Sequence, residues 1–534
     1  MASRFILAVS LASCALAIKN PLIPGWNPDP HVLRVNDTYY VAVSSFLSFP
    51  GVPIYQSQDL GNWELVSHAL NAPEKVPIVG VRQDHGNATN SDQGIWAPSL
   101  SYINGRFYMT TMAMWGSDTV YRTFPRFFWV SSSDLQTWSE VIWAEPYGID
   151  PDLWQDPNTG KNYLSVMGLD DNRERLWGIS QCEVDLDTGK CGGTGTGHRV
   201  TIARSDTPMG PWRSSPTNPL LYNGADPDLT VGNTGHAMFS DTPDGRWFAT
   251  FLARRWIGND NPIGRECFFS PVEWREDGWP VMNYGEPILL SQEYDYGPTP
   301  AYPPAPWEDN FVGSQLGLSW YQLRTPYTQN FEVNPWGDGQ SPCGSGGGGI
   351  VFNPNVFTLG ERDTPAAVLH KQTSFNMTFS ATLLPINGSL GRSQSIGISM
   401  YSSEYTHQDI SIRGCVNTTS AIQCVRVDSS IQLPGPAGTP SSKEFPFPYD
   451  HVPAGVQLHV RAEPTRYRLG WSVNGESIAW VHQFRLRDLP VGFDGAMFAL
   501  FASGNSLPWP LNAPQVGFCN VREEFFEEGL GDYR

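Results

Sequence analysis

The chain has 534 residues with 52 Gly, 45 Pro, 27 Phe, 20 Trp and 20 Tyr, and only 16% of its side chains are charged. That composition excludes a disordered chain or a coiled coil and reads as folded and β-rich, with a length that suits two domains. The net charge of −19 disfavours a phosphate backbone as partner.

Residues 1–17 have the three regions of a secretory signal peptide: Arg4, an apolar run from Phe5, and Ala15, Leu16, Ala17 ahead of a cleavage predicted near Ala17. No later apolar stretch reaches the roughly 18 residues that would span a bilayer, so the expected product is secreted and extracellular. Sequons at Asn36, Asn87, Asn376, Asn387 and Asn417 fit that compartment. Once Cys14 leaves with the leader, an odd set of cysteines remains in an oxidising setting. The short loops from Cys182 to Cys191 and from Cys415 to Cys424 predict two hairpin disulfides, one thiol stays unpaired, and no spacing resembles a zinc site.

Two acidic motifs stand out: Asn27, Pro28, Asp29, Pro30, and Gly148, Ile149, Asp150, Pro151, Asp152. Aspartates bracketed by proline and far apart in sequence suggest a carboxylate site assembled on a rigid all-β scaffold. Taken alone, each is a common strand-start residue. Asp152 and Asp156 read as turn or strand-end residues.

A weak repeat organises the first 300 residues. Ser57, Gln58, Asp59 through Trp63 recurs as Ser132, Ser133, Asp134 through Trp138, and more loosely as Ser205, Asp206 through Trp212. Each follows an alternating apolar run such as Tyr39 to Val43 or Phe127 to Val130, which reads as a strand. Repeated four-stranded units with aromatic punctuation predict a β-propeller with blades of roughly 40 to 50 residues. The competing reading is that Asp and Trp cap separate hairpins of a sandwich. The propeller is assigned to 20–293, followed by a Pro-rich linker at 294–306. From 307 to 534, short apolar runs alternate with turns, for example Ala366 to Leu369, Ser395 to Tyr401 and Val456 to Val460, predicting a β-sandwich. The tract from Gly344 to Gly349 lacks the context of a phosphate cradle and reads as a loop.

Gly25 to Pro30, Phe49 to Val52, Gly94 to Pro98, Gly148 to Trp154, Thr234 to His236, Asp244 to Trp247, Gly264 to Glu266 and Pro271 to Trp274 together resemble glycoside hydrolase family 43. The stretch from Trp307 to Thr325 resembles the start of the concanavalin-like sandwich attached to fungal-type β-xylosidases and α-L-arabinofuranosidases of that family. The resemblance implies a five-bladed propeller that hydrolyses terminal xylose or arabinofuranose linkages of xylo-oligosaccharides or arabinoxylan-derived glycosides, with inversion. It implies Asp29 as general base and Asp150 as a pKa modulator that orients the sugar. Arg265, His236, Phe46 and Trp96 are the implied substrate-binding residues; the alternative for Arg265 is a surface ion pair with Glu266. No cofactor is required, although His236 could help hold a structural Ca2+.

The chain departs from the family at one point. Members carry a general-acid glutamate in a Glu, Gly, Pro motif on the strand opening the fourth blade, and no such tripeptide lies between Asp150 and His236. The repeat locates the loss independently. Asp59 and Asp134 are 75 residues apart and Asp134 and Asp206 are 72 apart, yet the second interval must also hold the whole unit from Asp150 to Cys191. It is short by about one blade of roughly 40 residues, and the glycine-rich seam at Gly192 to Gly197 marks the place. A skipped exon and a real loss of the acid both explain this, and the first is favoured because excising inner strands from a closed propeller exposes edges and core. Glu174 and Glu183 lie on the blade-three side, and Glu266 stands beside an arginine that suits it poorly to stay protonated. No general acid is assigned. Three functions follow: a xylosidase or arabinofuranosidase, a catalytically impaired sugar-binding relative, and, least favoured from its motif order, a fructan-type glycosidase.

Overall fold

A computed structural model describes residues 17–527 except 82–92, 115–125, 145–147, 172–175, 197–201, 209–211, 224–227, 259, 302, 337–340, 345–346, 420, 432–440 and 486–494. The signal peptide up to residue 16, Asn87 and Glu174 lie outside the described residues.

Four sheets repeat along the first half, each an antiparallel meander. Blade 1 is built from His31–Val35, Thr38–Ala42, Gly51–Ser57 and Glu64–Leu70. Blade 2 runs from Gly94–Ile95 to Ile142–Trp143, and blade 3 from Ile149–Gln155 to Cys191–Thr196. Blade 5 runs from Val231–Asp241 to Pro280–Met282. Between blades 3 and 5 stands a sheet of two short strands, Ala203–Arg204 and Arg213–Ser214. The opening strands lie side by side, since His31–Val35 packs beside Ser99–Ile103 and Val231–Asp241, and Ser99–Ile103 beside Ile149–Gln155. They therefore face the propeller axis.

The sequence repeat is a loop-capping device. Asp59 Oδ1 accepts the N–H groups of Gly61 at 3.0 Å and Asn62 at 2.8 Å, and Trp63 Nε1 donates to the Leu60 carbonyl at 2.9 Å. Asp134 repeats this with Gln136 and Thr137, both at 2.8 Å, and Trp138 Nε1 donates to the Leu135 carbonyl at 3.1 Å. Leu60 and Leu135 share a left-handed φ of 62° and 61°. Such side-chain caps fix tight loops between the third and fourth strands of a blade. Ser205 and Asp206 occupy the same place, between Ala203–Arg204 and Arg213–Ser214. The two-stranded sheet is therefore the outer half of blade 4, and its inner two strands have no counterpart among the described residues.

Burial agrees with that assignment. Ser99–Ile103, between two complete blades, is buried at four of its five positions. In Val231–Asp241, which flanks the short blade, only Val231 and Ser240 are buried. Ile149–Gln155, on the other flank, is likewise mostly half-exposed.

The ring is closed by the segment after the predicted leader. Asn20 exchanges hydrogen bonds with the Phe269 main chain, Leu22 N–H donates to the Cys267 carbonyl, and Ile18 pairs with Tyr294. The second half forms two facing eight-stranded sheets around one apolar core that includes Phe379, Phe498, Leu458 and Ile410. One sheet extends into the propeller, because Ser48–Phe49 pairs with Trp320–Leu323 as its edge. A shared core that includes Val52, Ile54 and Leu70 with Tyr321, Leu369 and Ala499 joins the two halves.

The disulfides Cys182–Cys191 and Cys415–Cys424 form as expected. A third joins Cys343 to Cys519, and Cys267 is a buried free thiol.

Candidate active site

Asp29 begins the site. It lies between two prolines with φ 54°, in the left-handed region, and its side chain is buried. A residue before proline is already restricted to extended backbone, so this conformation stores strain of about 1–3 kcal/mol. Its surroundings hold it there. Arg265 Nη1 stands 2.6 Å from Asp29 Oδ1, Ser44 Oγ donates to Oδ2 at 2.5 Å, and Ser44 N–H donates to the Pro28 carbonyl. The main-chain N–H of Asn27 donates to the Arg265 carbonyl at 2.9 Å.

The expected alternative for Arg265, a surface ion pair with Glu266, is not what the fold provides. Arg265 is buried and points to Asp29. Successive strand residues face opposite sides of a sheet. Glu266 consequently turns away, to Arg255, whose Nε and Nη2 approach its carboxylate at 2.7 and 3.0 Å, and it accepts the Gly25 N–H at 3.0 Å. Glu266 is fully buried in those bonds.

Phe46 packs beside Arg265, whose guanidinium carbon is 5.3 Å from the ring centroid. Its ring also contacts Trp26 at 5.9 Å and Trp96 at 6.1 Å. Phe46 and Ile95 exchange both main-chain hydrogen bonds across blades 1 and 2. Gly94 permits this approach: its φ is 112°, and a Cβ there would lie 2.1 Å from the Phe46 carbonyl oxygen. The strand then breaks at Trp96 and resumes at Ser99, leaving the indole half-buried next to Phe46.

Asp150 comes from blade 3, where the ladder is irregular between Ile149 and Asp152. Like Asp29 it precedes proline with a left-handed φ, 52°. Its Oδ2 is 3.9 Å from Nδ1 of His236 on blade 5, and both side chains are partly exposed. A contact of that length and exposure contributes little stability. Asp152 lies within the strand and stands 3.5 Å from His31 Nε2, whereas Asp156 caps a turn through Asn158 and Thr159. Phe46, at 47°, and His236, at 53°, complete a group of four predicted site residues with left-handed backbone. Such outliers gather where function over-determines the chain.

The fold thus brings Asp29, Arg265, Phe46 and Trp96 into one contact chain and pairs Asp150 with His236. Ser44, Trp26 and Arg255 were not anticipated. Among the described residues no group of three or more His, Cys, Asp or Glu side chains gathers as a cation site requires. Glu183 forms an exposed ion pair with Lys161 at 2.8 Å.

The sequence profile of glycosyl hydrolases family 43 matches residues 18–192 and 189–280, two stretches that meet at the glycine-rich seam. The profile of the beta xylosidase C-terminal concanavalin A-like domain matches 308–508. A non-reducing end alpha-L-arabinofuranosidase of Bacteroides ovatus is 30% identical over 410 residues, covering 70% of this chain and 73% of that protein. Xylosidase/arabinosidase 43B of Humicola insolens is 29% identical over 351 residues, 58% of this chain and 63% of that one. Among solved structures, the Bacteroides ovatus xyloglucan PUL GH43B protein has the same fold, with a TM-score of 0.80 at 24% identity, covering 96% of this chain and 100% of that one. A xylan beta-1,4-xylosidase from Bacillus halodurans follows at 0.78 and 22% identity, covering 95% and 100%.

Proposed function

The chain belongs to glycosyl hydrolases family 43, and we propose that it is a secreted member whose pocket takes terminal xylosyl or arabinofuranosyl groups of plant cell-wall hemicellulose. The observation that carries this reading is the buried Asp29 carboxylate, held by Arg265 and Ser44 beside the Phe46 and Trp96 rings. Inverting hydrolysis needs a base and an acid roughly 6.5 to 9.5 Å apart, with a water beside the sugar. Asp29, fixed at both oxygens, is suited to take the proton of that water. The Arg265 fork suits adjacent hydroxyls, the two rings suit the apolar face of a sugar, and Asp150 with His236 suits its orientation. The names of the relatives support the sugar class.

A second reading, sugar binding with impaired turnover, is favoured by the short fourth blade. Glu266 is committed to Arg255 and Glu183 to Lys161, so neither is placed to protonate a leaving group. The half-exposed strands on either side of blade 4 and the break of the profile match at the seam support the loss of the inner two strands, the part that opens a blade. We therefore assign to this chain a base, a modulator and a sugar pocket, and no acid among the described residues.

Secretion is supported by three disulfides and by the exposure of Asn36, Asn387 and Asn417. Calorimetry with xylose and L-arabinose, together with NMR of the anomer released from 4-nitrophenyl β-D-xyloside and α-L-arabinofuranoside, tests the function. Binding of either pentose with weak, inverting release is expected. Absence of binding overturns the sugar reading, and retention of configuration overturns Asp29 as base. The transcript across residues 188–200 distinguishes a skipped exon from a real loss.

A further inference from the structure

Lys371 ends the sandwich strand Ala366–Lys371, yet its ammonium is buried against the propeller. Nζ donates to Asn27 Oδ1 at 2.9 Å and stands 5.7 Å from the Trp26 ring centroid, 5.9 Å from Tyr55 and 5.2 Å from Tyr321. Tyr55 OH donates to the same Asn27 oxygen at 2.8 Å. Lys371 is 7% exposed and, among the described residues, forms no ion pair. A buried ammonium without a carboxylate is costly and persists here through one amide oxygen, the Tyr55 hydroxyl at 3.5 Å and three aromatic rings.

Both kinds of contact lead to the active site. Asn27 Nδ2 ties the preceding turn through the carbonyls of Pro24 at 3.1 Å and Gly25 at 3.2 Å, and its N–H holds the Arg265 carbonyl. Asn27 is two residues from Asp29, so it is linked to both members of the Asp29–Arg265 pair. Trp26 backs the Phe46 ring. Lys371 touches neither Asp29 nor Phe46; it touches the residue that carries each.

We propose that Lys371 is a positioning residue through which the sandwich sets the geometry of the propeller's sugar pocket, fixing Asp29 by way of Asn27 and Phe46 by way of Trp26. The assignment rests on the sugar-binding reading above for its functional consequence. It gives the second domain a role in the site that needs no polymer binding of its own: without Lys371, the turn of residues 23–27 loses the anchor that the sandwich supplies through Asn27 and Trp26.

The test uses the full chain with Lys371→Met, Asn27→Ala and the double variant, reading xylose affinity by calorimetry and the unfolding midpoint in parallel. Lys371→Met is expected to lower affinity at least tenfold while the midpoint stays within a few degrees, and Asn27→Ala added to it to cost less than a further threefold. Unchanged affinity in Lys371→Met, or losses that multiply in the double variant, overturns the proposal. If Lys371→Met does not fold, Lys371→Gln, which keeps a donor, is read by the same criteria. A crystal structure of the folded variant supplies a measure independent of sugar: the Asp29–Arg265 contact is expected to open, and an unmoved pair overturns the proposal. Should the parent chain bind no pentose, the sugar reading falls while that structure still decides the positioning role.

Discussion

Arg265 and Asp29, 236 residues apart in the chain, meet at 2.6 Å with both side chains buried. The contact joins the residue just before the third strand of blade 5, Glu266–Trp274, to the turn before blade 1, so the same bond that orients the predicted base also ties the two ends of the propeller together. Removing one partner of a buried pair leaves an uncompensated charge, which costs about 3–5 kcal/mol. Arg265→Met is therefore expected to lower the unfolding midpoint and abolish pentose binding. Asp29→Asn combined with Arg265→Met is expected to recover most of the midpoint and none of the binding, as thermal unfolding and calorimetry would show. A single variant as stable as the parent would mean the pair is not buried in solution.

The proposed assignment of a base without an acid makes a distinctive kinetic prediction. General acid catalysis contributes about 10²–10⁴-fold, but only where the leaving group needs a proton. Xylosyl fluoride of the natural linkage configuration releases fluoride without one. It is expected to be hydrolysed at least about a hundredfold faster than xylobiose under equal conditions, and Asp29→Ala is expected to abolish both reactions. Comparable rates for fluoride and disaccharide would reveal an acid in this chain.

The parts of this fold legible in the sequence were the local ones. The Ser–x–Asp repeat marked the loops of blades 1 and 2 because each cap closes within a few residues, at Asp59 with Asn62 and at Asp134 with Thr137. It also showed where blade 4 is short. Both Asp–Pro motifs were visible as candidates, while their shared left-handed backbone was not, since nothing in an Asp–Pro dipeptide demands positive φ. The alternative for Arg265, a pair with its neighbour Glu266, does not form: the two side chains turn to opposite sides, and the cross-strand register brings Ala253, two residues before Arg255, opposite Glu266. Lys371 could not be read at all, because its contacts with Asn27 and Trp26 exist only once two separately built domains have docked.

The shortened fourth blade should be measurable as local opening. Ser99–Ile103 and Val231–Asp241 each pair with one neighbouring strand of their own blade, but the first is buried and the second is mostly half-exposed. Exchange protection follows buried contacts as well as hydrogen bonds. Amides of Val231–Asp241 are expected to exchange faster than those of Ser99–Ile103 by mass-detected hydrogen exchange. Restoring the two missing inner strands at the glycine-rich seam is expected to remove the difference, and equal protection in the present chain would argue that the flank is already covered.

Lys371 also sets a pH dependence of stability whose direction follows from its burial. Desolvation lowers its folded pKa to about 7, while a lysine in the unfolded chain titrates near roughly 10.4. Between those values the unfolded chain binds a proton that the folded protein does not, so raising pH favours folding. Below about 7 both states carry the proton and the cost of the buried cation is present in full. Above roughly 10.4 neither carries it. Lys371→Met removes the group, so the difference in denaturation midpoint between parent and variant should shift steadily in the parent's favour as pH rises from 7 towards 10. Chemical denaturation of both proteins at pH 6, 7.5 and 9 measures it. A difference that stays constant across those values would place the ammonium in contact with water, and with it would go the anchor on which the turn before Asp29 depends.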